Sequence, residues 1–442
     1  FSIGGAVEMR ESVGDPPQHP VHYLQDSKEL FAKICRVTAE VFGSQLTLDT
    51  LGRTIRIRVG TINDEVPRID DIPLAYRAKM AALRPLDEQG DGMRSLLGQL
   101  LPVATAAYKV VILDEPEAFL HPPQAHALGV ELGRLAAEAG LQILLATHDR
   151  SLLTGLLDSG ADVSVVRLTR ESGVQRVSQL ESSRLRDLWA DSVLRYSNIL
   201  DGLFHRLVVV AEAEGDCAFL AAALDCPQRP PSTVPRNEIL FVATGGKDGM
   251  PKVCAALNAV AVPVVAAPDL DALADSTKLR ALVESVGGSW SKGLQKLWVV
   301  ATSTLNSARE PATVGHVLDA ISAVLAPHRD EPYLKSHQDA VKAALRSSRS
   351  PWDEVKDHGL SAFKGEARVA VETLLDELER LGVVLVREGE LERLAPSVAV
   401  RKGPGWLQAA LAANEQCNAA TQAHVDRLLS AAAHKTGEPA PE

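Results

Sequence analysis

Residues 207–216 read LVVVAEAEGD, an apolar run that ends among three acids. Five apolar residues before a glycine turn are typical of a buried parallel strand, and the Ala-rich run at 216–224 predicts the helix that follows it. Glu212 then lies at the carboxyl end of the strand and Asp216 in the first helical turn, so both carboxylates can face one point. An acid at this place also suits ordinary helix capping, so a structural role for Asp216 stays open.

A glycine turn follows the next apolar run, ILFVATGGKD at 239–248. The run predicts a second strand of the same sheet, and Lys247 opens the helix that comes after it. Gly245 and Gly246 leave the backbone accessible at the turn, where N–H groups and a lysine can meet a phosphate. The plainer interpretation of such a pair is a turn without a ligand.

Two acids close a third apolar run, VPVVAAPDLD at 262–271. Residues i and i+2 of an extended chain point to the same side, which predicts that Asp269 and Asp271 form a pair of carboxylates. Two charged carboxylates this close repel each other, so either a pKa rises or a cation binds. Because Glu212 and Asp216 converge on the same edge, a cation is the simpler answer, and oxygen ligands favour Mg²⁺ or Mn²⁺.

Acids also end an apolar run in the first half of the chain, VVILDEPE at 110–117. A strand here delivers Asp114 to its carboxyl end, where it can hold the water shell of a nucleotide-bound Mg²⁺, and Glu115 can accept a proton from an attacking water. A second run, ILLATH at 143–148, ends in His148, which is placed to contact a terminal phosphate. The alternative is a solvated acidic turn beside a structural histidine.

A glycine-containing segment, DEQGDGMRS at 87–95, precedes both runs and is followed by a predicted apolar helix. Its residues Gly90, Gly92 and Ser95 lie where backbone N–H groups can face an anion at a helix N-terminus. Each of these motifs alone is weak evidence, but their order along the chain favours a nucleotide site.

Residues 86–151 resemble the ATP-binding-cassette ATPases of the "overcoming lysogenisation defect" (OLD), SMC and RecF group. The resemblance identifies 90–95 with the signature motif, 110–115 with the Walker B strand, 119–124 with the D-loop and 147–148 with the H-loop. It implies ATP bound with Mg²⁺ in a head-to-head homodimer. The Walker A pattern GxxxxGK[ST] is absent from the sequence, so we expect that an N-terminal segment is missing and that this chain alone hydrolyses little or no ATP.

The order Glu-x-x-x-Asp, Gly-Gly-Lys, Asp-x-Asp over 207–273 resembles the TOPRIM domain of OLD-family nucleases. Ala213 departs from the pattern, because many TOPRIM domains have glycine there. The segment GELE at 389–392, after a predicted strand at 383–386, is similar to a late acidic motif and implies that Glu390 and Glu392 lie near a second metal. The segment RKGPGW at 401–406 resembles one with a basic catalytic residue, which implies that role for Lys402.

Composition sets further limits. A chain of 442 residues is long enough for at least two cores. Its formal net charge of −11 repels a polyanion, so nucleic acid must be bound by local patches and cations. The five cysteines form no CxxC pair, which argues against a zinc finger and a disulfide framework and favours a reducing cytoplasm. An apolar run long enough for a membrane span is absent from the sequence.

We therefore predict an α/β protein: a partial ABC-type ATPase domain at 1–202, a TOPRIM nuclease domain with a Rossmann-like parallel sheet at 203–434, and a disordered tail at 435–442. A helical insertion at about 308–381 offers positive charge to phosphates through Lys335, His337, Lys342, Arg346 and Arg349.

The predicted activity is two-metal endonuclease cleavage of nucleic acid, with DNA preferred over RNA as the partner and a role in anti-phage defence or DNA repair. One ion is held by Glu212, Asp269 and Asp271, a second shares Asp216 or Glu390, and Lys402 offsets charge on the phosphate. The alternative is a non-catalytic, ATP-sensing dimerisation subunit. Two other TOPRIM-containing classes are disfavoured: the sequence shows no tyrosine motif of a topoisomerase and no zinc-binding module of a primase. A RecF-like repair ATPase is also disfavoured, because it would not explain the acids of the second half.

Overall fold

The computed structural model describes residues 5–12, 14–68, 70–106, 108–171, 174–191, 198–229, 234–307, 313–345, 351–400 and 402–436. The chain has a mixed α/β fold with parallel sheets, and it divides into two compact units. The first consists of Phe1–Val165 and Glu181–Trp189, and the second of Val166–Leu180 and Ala190–Glu442.

The first unit combines an antiparallel sheet, a parallel pair of strands and a set of helices. Its strands are β1 (Val7–Glu8), β2 (Leu46–Asp49), β3 (Thr54–Val59), β4 (Arg84–Pro85), β5 (Val110–Asp114) and β6 (Gln142–Ala146). Its helices are α1 (Pro20–Asp26), α2 (Lys28–Phe42), α3 (Leu74–Ala82), α4 (Asp91–Ala104), α5 (Pro122–Ala139), α6 (Arg150–Asp158) and α7 (Ser182–Ala190). β3 pairs antiparallel with β1, β2 and β4, whereas β5 and β6 are parallel.

The parallel pairing of β5 with β6 sets Asp114 opposite Ala146, so both strands end at the same edge. The helix α6 begins immediately beyond that edge, where the Asp149 side chain accepts a hydrogen bond from the Leu152 N–H at 2.8 Å. α6 packs closely on α5 because Gly155 lacks a side chain: a Cβ there would lie 2.1 Å from the His126 carbonyl oxygen. Close helix packing thus positions the end of β6.

The prediction that β5 and β6 are buried strands is correct for one face only. Val111 and Leu113 pack against the leucine core of the unit. The opposite face carries Val110, Ile112 and Leu144, which are 50%, 77% and 55% exposed. A parallel sheet is buried when helices cover both of its faces. In the part of the chain that the structure describes, the core covers only one face of β5 and β6.

The second unit is built on a parallel sheet with helices around it. Its strands are β7 (Val165–Glu171), β8 (Val174–Leu180), β9 (Leu207–Ala211), β10 (Ile239–Ala243) and β11 (Val264–Ala267). Its helices are α8 (Glu214–Leu224), α9 (Met250–Ala259), α10 (Ser276–Ser285), α11 (Lys292–Ser307), α12 (Val314–Leu325), α13 (Lys335–Leu345), α14 (Pro351–His358), α15 (Glu366–Arg380), α16 (Pro404–Ala412) and α17 (Ala419–Thr436).

The parallel sheet has the order β10-β9-β11, and every residue of its central strand β9 is buried. An extended segment at 382–386 lies beside β11. The Val384 N–H donates to the Ala266 carbonyl at 2.8 Å, and the Ala266 N–H donates to the Gly382 carbonyl at 2.9 Å. The predicted strand at 383–386 is therefore present only as this segment, whose bridge joins Val383 to Ala266.

The predicted insertion at 308–381 is helical where the structure describes it, but helices already occupy the preceding residues in α10 and α11. Arg346 and Arg349 lie outside the described residues. The prediction of a disordered tail is wrong at its start, because α17 continues to Thr436 and the Lys435 ammonium donates to the Val286 carbonyl. Residues 437–442 are outside the described part.

A disulfide joins Cys226 to Cys417, with Cα atoms 5.7 Å apart, although the two residues are 191 positions apart in the sequence. The expectation of no disulfide is thus wrong. The spacing of cysteines carries no signal for this pair, because the fold brings together the second residue after α8 and the turn before α17. In the described residues, we find no helix that combines the length and the apolar surface needed to cross a bilayer.

Candidate functional site

Three carboxylates meet at the carboxyl edge of the β9–β11 sheet. Glu212 directly follows β9, and Asp269 and Asp271 follow β11. Each of the three offers an oxygen, and these oxygens lie within 4.8 Å of one another. They meet because neighbouring parallel strands end at the same edge, where ligands of open α/β sheets collect.

A tight turn, rather than an extended chain, brings Asp271 to its place. The turn Leu270–Ala274 is a 3-10 helix that starts directly after Asp269, so the predicted i, i+2 geometry is wrong. The Asp269 N–H donates to Glu212 Oε1 at 3.3 Å, and Asp269 Oδ1 accepts from the Leu391 N–H at 2.9 Å. Asp269 therefore links the end of β9 to the late acidic segment.

The late acidic segment at 389–392 is held between this turn and α14. The Leu270 N–H donates to the Gly389 carbonyl at 2.8 Å, and the Glu390 N–H donates to the Lys356 carbonyl at 3.3 Å. Gly389 has a φ of +119°, and a Cβ on it would lie 2.2 Å from the Lys356 carbonyl oxygen. Glycine is thus required where the segment crosses α14, and the crossing delivers Glu390 and Glu392 to the carboxylate edge.

Lysines from separate elements pair with these acids. Lys247 Nζ lies 2.7 Å from Asp271 Oδ2, and Lys356 Nζ lies 3.0 Å from the same oxygen. Lys402 Nζ lies 2.8 Å from Glu390 Oε2, and Arg393 lies 3.4 Å from the other oxygen of Glu390. Lys356 was missed by the sequence reasoning, since it follows no strand and belongs to no motif in the helical insertion.

The glycine turn at Gly245 and Gly246 holds the backbone of Glu212 in place, and Lys247 pairs with Asp271. Gly245 and Gly246 have φ values of +71° and +129°, which favour glycine. The Gly246 N–H donates to the Glu212 carbonyl at 2.9 Å, so the turn wraps the end of β9. A Cβ on either glycine would meet nothing within 4 Å, which leaves the turn open towards a ligand.

The acids away from the lysines are crowded. Burial raises the pKa of Asp269 well above its usual range, and the charge of Glu212 raises it further. Burial, with added repulsion from Glu392 and Glu212, raises the pKa of Asp216 to about 6. Burial likewise raises the pKa of Glu212. These oxygens repel one another without a cation, so the donor set fits a divalent ion.

Asp271 shows the opposite behaviour. Burial opposes its charge, but the hydrogen bonds from Lys247 and Lys356 outweigh that effect and lower its pKa. Asp271 is therefore an ionised anchor for two ammonium groups. The edge thus has two parts among the described contacts: Glu212, Asp216 and Asp269 make no direct ion pair, whereas Asp271 and Glu390 are paired with lysines.

We expect the metal-free protein to lose stability as the pH rises through about 6. Asp216 ionises at its ordinary value of 3.8 when unfolded and at about 6 when folded, so the unfolded state loses its proton first. The cost is absent well below the lower value, grows between the two and reaches about 3 kcal/mol above the higher one.

Urea unfolding in chelator at about pH 4 and about pH 7 measures this loss for wild type and Asp216→Asn, an amide that keeps an acceptor for the Ala213 N–H. The loss of stability should be smaller by about 2 kcal/mol in the variant. Identical pH dependence in both proteins contradicts the assignment.

The first unit places its predicted nucleotide residues at the exposed edge of β5 and β6. His148 Nδ1 lies 3.4 Å from Glu115 Oε1, and Glu115 has a positive φ of 44°. Beneath them, the buried Glu117 accepts a hydrogen bond from Thr147 Oγ1 at 2.5 Å and another from the His148 N–H at 3.3 Å. Glu117 was not predicted, and it fixes the backbone that carries His148. Asp114 is exposed beside this pair.

The predicted signature segment lies within a helix, because α4 starts at Asp91 and not after Ser95. Gly90 is the N-cap residue and is exposed. Gly92 needs to be glycine, since a Cβ would lie 2.7 Å from the Phe119 carbonyl oxygen. Through this approach the first turn of α4 packs directly on the segment that follows the Asp114–Glu115 motif.

The side chain of Gln99 strengthens the same contact. It donates to Ser95 Oγ at 3.0 Å and to the Pro116 carbonyl at 2.9 Å. The three predicted nucleotide motifs therefore occupy one contiguous face of the first unit.

One family model matches the part of the sequence that carries these motifs. Residues 49–154 match the family model described as "AAA domain, putative AbiEii toxin, Type IV TA system". An ABC/AAA-type ATPase domain is therefore supported. The match spans the predicted signature, Walker B and H-loop residues, from Gly90 to His148, and covers a minority of the chain.

The other comparisons add little. No curated protein matches the sequence. A solved structure described as "Structural biochemistry of ATP-driven dimerization and DNA stimulated activation of SMC ATPases" is 9% identical, with 39% of this chain and 96% of that chain covered at a TM-score of 0.26. At that score the likeness carries no conclusion about fold, partners or activity.

Proposed function

We propose that the second unit is a TOPRIM-type nuclease that uses Mg²⁺ or Mn²⁺ to hydrolyse phosphodiester bonds, in a chain that also carries an ATPase domain. The observation that carries this proposal is the convergence of Glu212, Asp269 and Asp271 within 4.8 Å at the end of parallel strands. Asp216 is near the same edge, since the charges of Glu392 and Glu212 both raise its pKa.

The acids at this edge have different proposed roles. Glu212, Asp216 and Asp269 hold the divalent ion, because they are crowded acids that lack ammonium partners among the described contacts. When bound, the ion supplies an acidified water and charge neutralisation at the phosphate. Glu392 is near enough to Asp216 for its charge to raise the pKa of that acid, so we propose it as a further ligand, whereas Glu390 is paired with Lys402.

Lysines complete the proposed site. Lys247 and Lys356 converge on Asp271, and burial alone would lower the pKa of Lys356, but the Asp271 hydrogen bond raises it. Lys402 is held the same way by Glu390. The raised pKa values keep Lys356 and Lys402 charged at neutral pH, so these two ammonium groups offset charge that develops on a phosphate at this edge. They also give a chain of net charge −11 a local site for a polyanion.

Nicking of supercoiled plasmid DNA by the full chain tests the proposal, with single-stranded RNA as a parallel substrate. We expect DNA nicking with Mg²⁺ or Mn²⁺ and none in excess chelator. Calorimetric titration with Mn²⁺ should show stoichiometric binding. Absence of both binding and cleavage favours the alternative of a non-catalytic subunit. ATP-dependent dimerisation through the first unit is a separate proposal, tested by sedimentation with and without ATP.

Lys356 gives a sharper test, because it comes from the helical insertion. We expect Lys356→Gln to slow nicking by about 10- to 100-fold at saturating substrate. Lys356 pairs with Asp271 and not with the three proposed metal ligands, so Mn²⁺ binding should be unchanged. Lys364→Gln, an exposed lysine of the same insertion, is the matched control and should cleave like wild type. Weakened Mn²⁺ binding by Lys356→Gln contradicts this role.

A further inference from the structure

A second set of metal-ligating side chains lies between α12 and α13, in the helical insertion. His328 ends the 3-10 turn Ala326–His328 that follows α12, and His337 lies in the first turn of α13. Glu331 belongs to the loop between them. The three residues each offer a ligand atom, and these atoms lie within 4.8 Å of one another. None of the three takes part in the acidic edge of the parallel sheet.

The distances match those between ligands of one small ion. His328 Nδ1 lies 3.1 Å from Glu331 Oε2, and His337 Nε2 lies 3.7 Å from the same oxygen. Ligand atoms bound tetrahedrally at about 2.0–2.1 Å from zinc are about 3.3 Å apart, so the two distances bracket that value. The imidazole rings have centroids 4.7 Å apart, so a small approach of His328 completes the set.

The different exposure of the three side chains makes such an approach feasible. His337 is 9% exposed and is held in place, whereas His328 and Glu331 are exposed side chains. One fixed ligand with two adjustable ones can close around an ion without disturbing a core. Water has access from the exposed side and can fill a fourth position.

We propose that His328, Glu331 and His337 bind one Zn²⁺ ion. Two imidazoles and a single carboxylate favour zinc over Mg²⁺ and Mn²⁺, which prefer oxygen ligands. This site is therefore chemically distinct from the carboxylate edge of the sheet. The ion ties the loop that follows α12 to the first turn of α13, and so fixes the helical hairpin.

Zinc binding moves one proton within His337. The Leu334 N–H donates to His337 Nδ1 at 3.2 Å, so Nε2 carries the ring proton without metal. On binding, Nε2 gives up that proton and coordinates the ion, while Nδ1 takes a proton from water, and no net proton is released by the ring. The hydrogen bond from the Leu334 N–H to Nδ1 is therefore lost when the ion binds.

Cobalt titration of the full chain tests the site, because four-coordinate Co²⁺ with nitrogen ligands absorbs visible light far more strongly than Co²⁺ in an octahedral oxygen site. We expect one strongly absorbing equivalent in wild type and in Asp269→Asn, displaced by Zn²⁺. His328→Ala and His337→Ala should lose the absorbance and bind Zn²⁺ more than about 100-fold more weakly. Glu331→Gln should weaken it as well.

His316→Ala is the matched control, since it removes an exposed imidazole from α12 outside the cluster. It should bind Co²⁺ and Zn²⁺ like wild type. Because His328 is exposed, its replacement leaves folding intact and decides the question even if His337→Ala folds poorly. The proposal is overturned if wild type gives no strongly absorbing Co²⁺ species, or if His328→Ala retains wild-type affinity.

Discussion

Asp269→Asn should abolish nicking and at the same time stabilise the metal-free protein. The carboxylate is crowded by Glu212 and Asp216, and burial raises its pKa well above the usual range. The amide removes this repulsion yet keeps an oxygen for the Leu391 N–H, which now bonds to Asp269 Oδ1 at 2.9 Å. Without the charge, however, a divalent ion loses a ligand.

Two measurements test the expected loss of activity and the expected gain in stability. Plasmid nicking with Mn²⁺ should fall by more than about 100-fold. The thermal midpoint in chelator should rise, because the variant no longer buries a carboxylate beside Glu212 and Asp216. Glu212→Gln should likewise reduce nicking and raise the thermal midpoint. Asp225→Asn, an exposed acid at the end of α8, is the matched control and should change neither quantity.

A variant that loses activity and stability together would show that Asp269 is a structural residue. Retained nicking by both Asp269→Asn and Glu212→Gln would remove the basis of the nuclease proposal. The control separates either outcome from a general effect of lost negative charge, because Asp225→Asn changes the net charge by the same amount.

Breaking the Cys226–Cys417 bond should have the largest effect on stability. The bond ties the end of α8 to the turn before α17 across 191 residues of sequence. A cross-link over so long a loop restricts the unfolded chain strongly, and its loss typically costs about 2–5 kcal/mol. The same region packs Phe219 of α8 against Trp406, with ring centroids 5.1 Å apart. Asp216 stands at the start of α8, so the cross-link also steadies the carboxylate edge.

Urea unfolding of wild type and Cys417→Ser, each with and without reductant, measures this contribution. Reductant should lower the wild-type midpoint to that of the variant and leave the variant unchanged. Thiol titration of the denatured, unreduced protein should find only Cys35, Cys217 and Cys254 reactive. Five reactive thiols, or a wild-type midpoint that ignores reductant, would contradict the bond.

The strand-end acids could be predicted because local signals are enough to place them. A run of apolar residues such as 207–211 predicts a buried parallel strand, and the structure has β9 at Leu207–Ala211. Adjacent parallel strands end at one edge, so Glu212 and Asp269 were predicted to be neighbours without knowledge of the rest of the fold. The ATPase motifs were recognisable in the same way, and the match over 49–154 supports that domain.

Other features depend on contacts between distant parts of the chain. Asp271 arrives through a 3-10 turn, because Leu270 donates to Gly389 of the late segment. Lys356 reaches Asp271 from a helix 85 positions further along, across a crossing that only Gly389 allows. The exposure of Ile112 likewise depends on what packs against its strand.

The sequence by itself determined the strands, their acidic ends and the glycines that turn between them, since hydrophobic periodicity and backbone preference act over a few residues. Only the tertiary structure decided which cation faces which acid, which cysteines pair, and that two histidines and Glu331 surround one point. Those choices depend on close packing and charge balance between segments far apart in the chain, and a one-dimensional pattern does not record such distances.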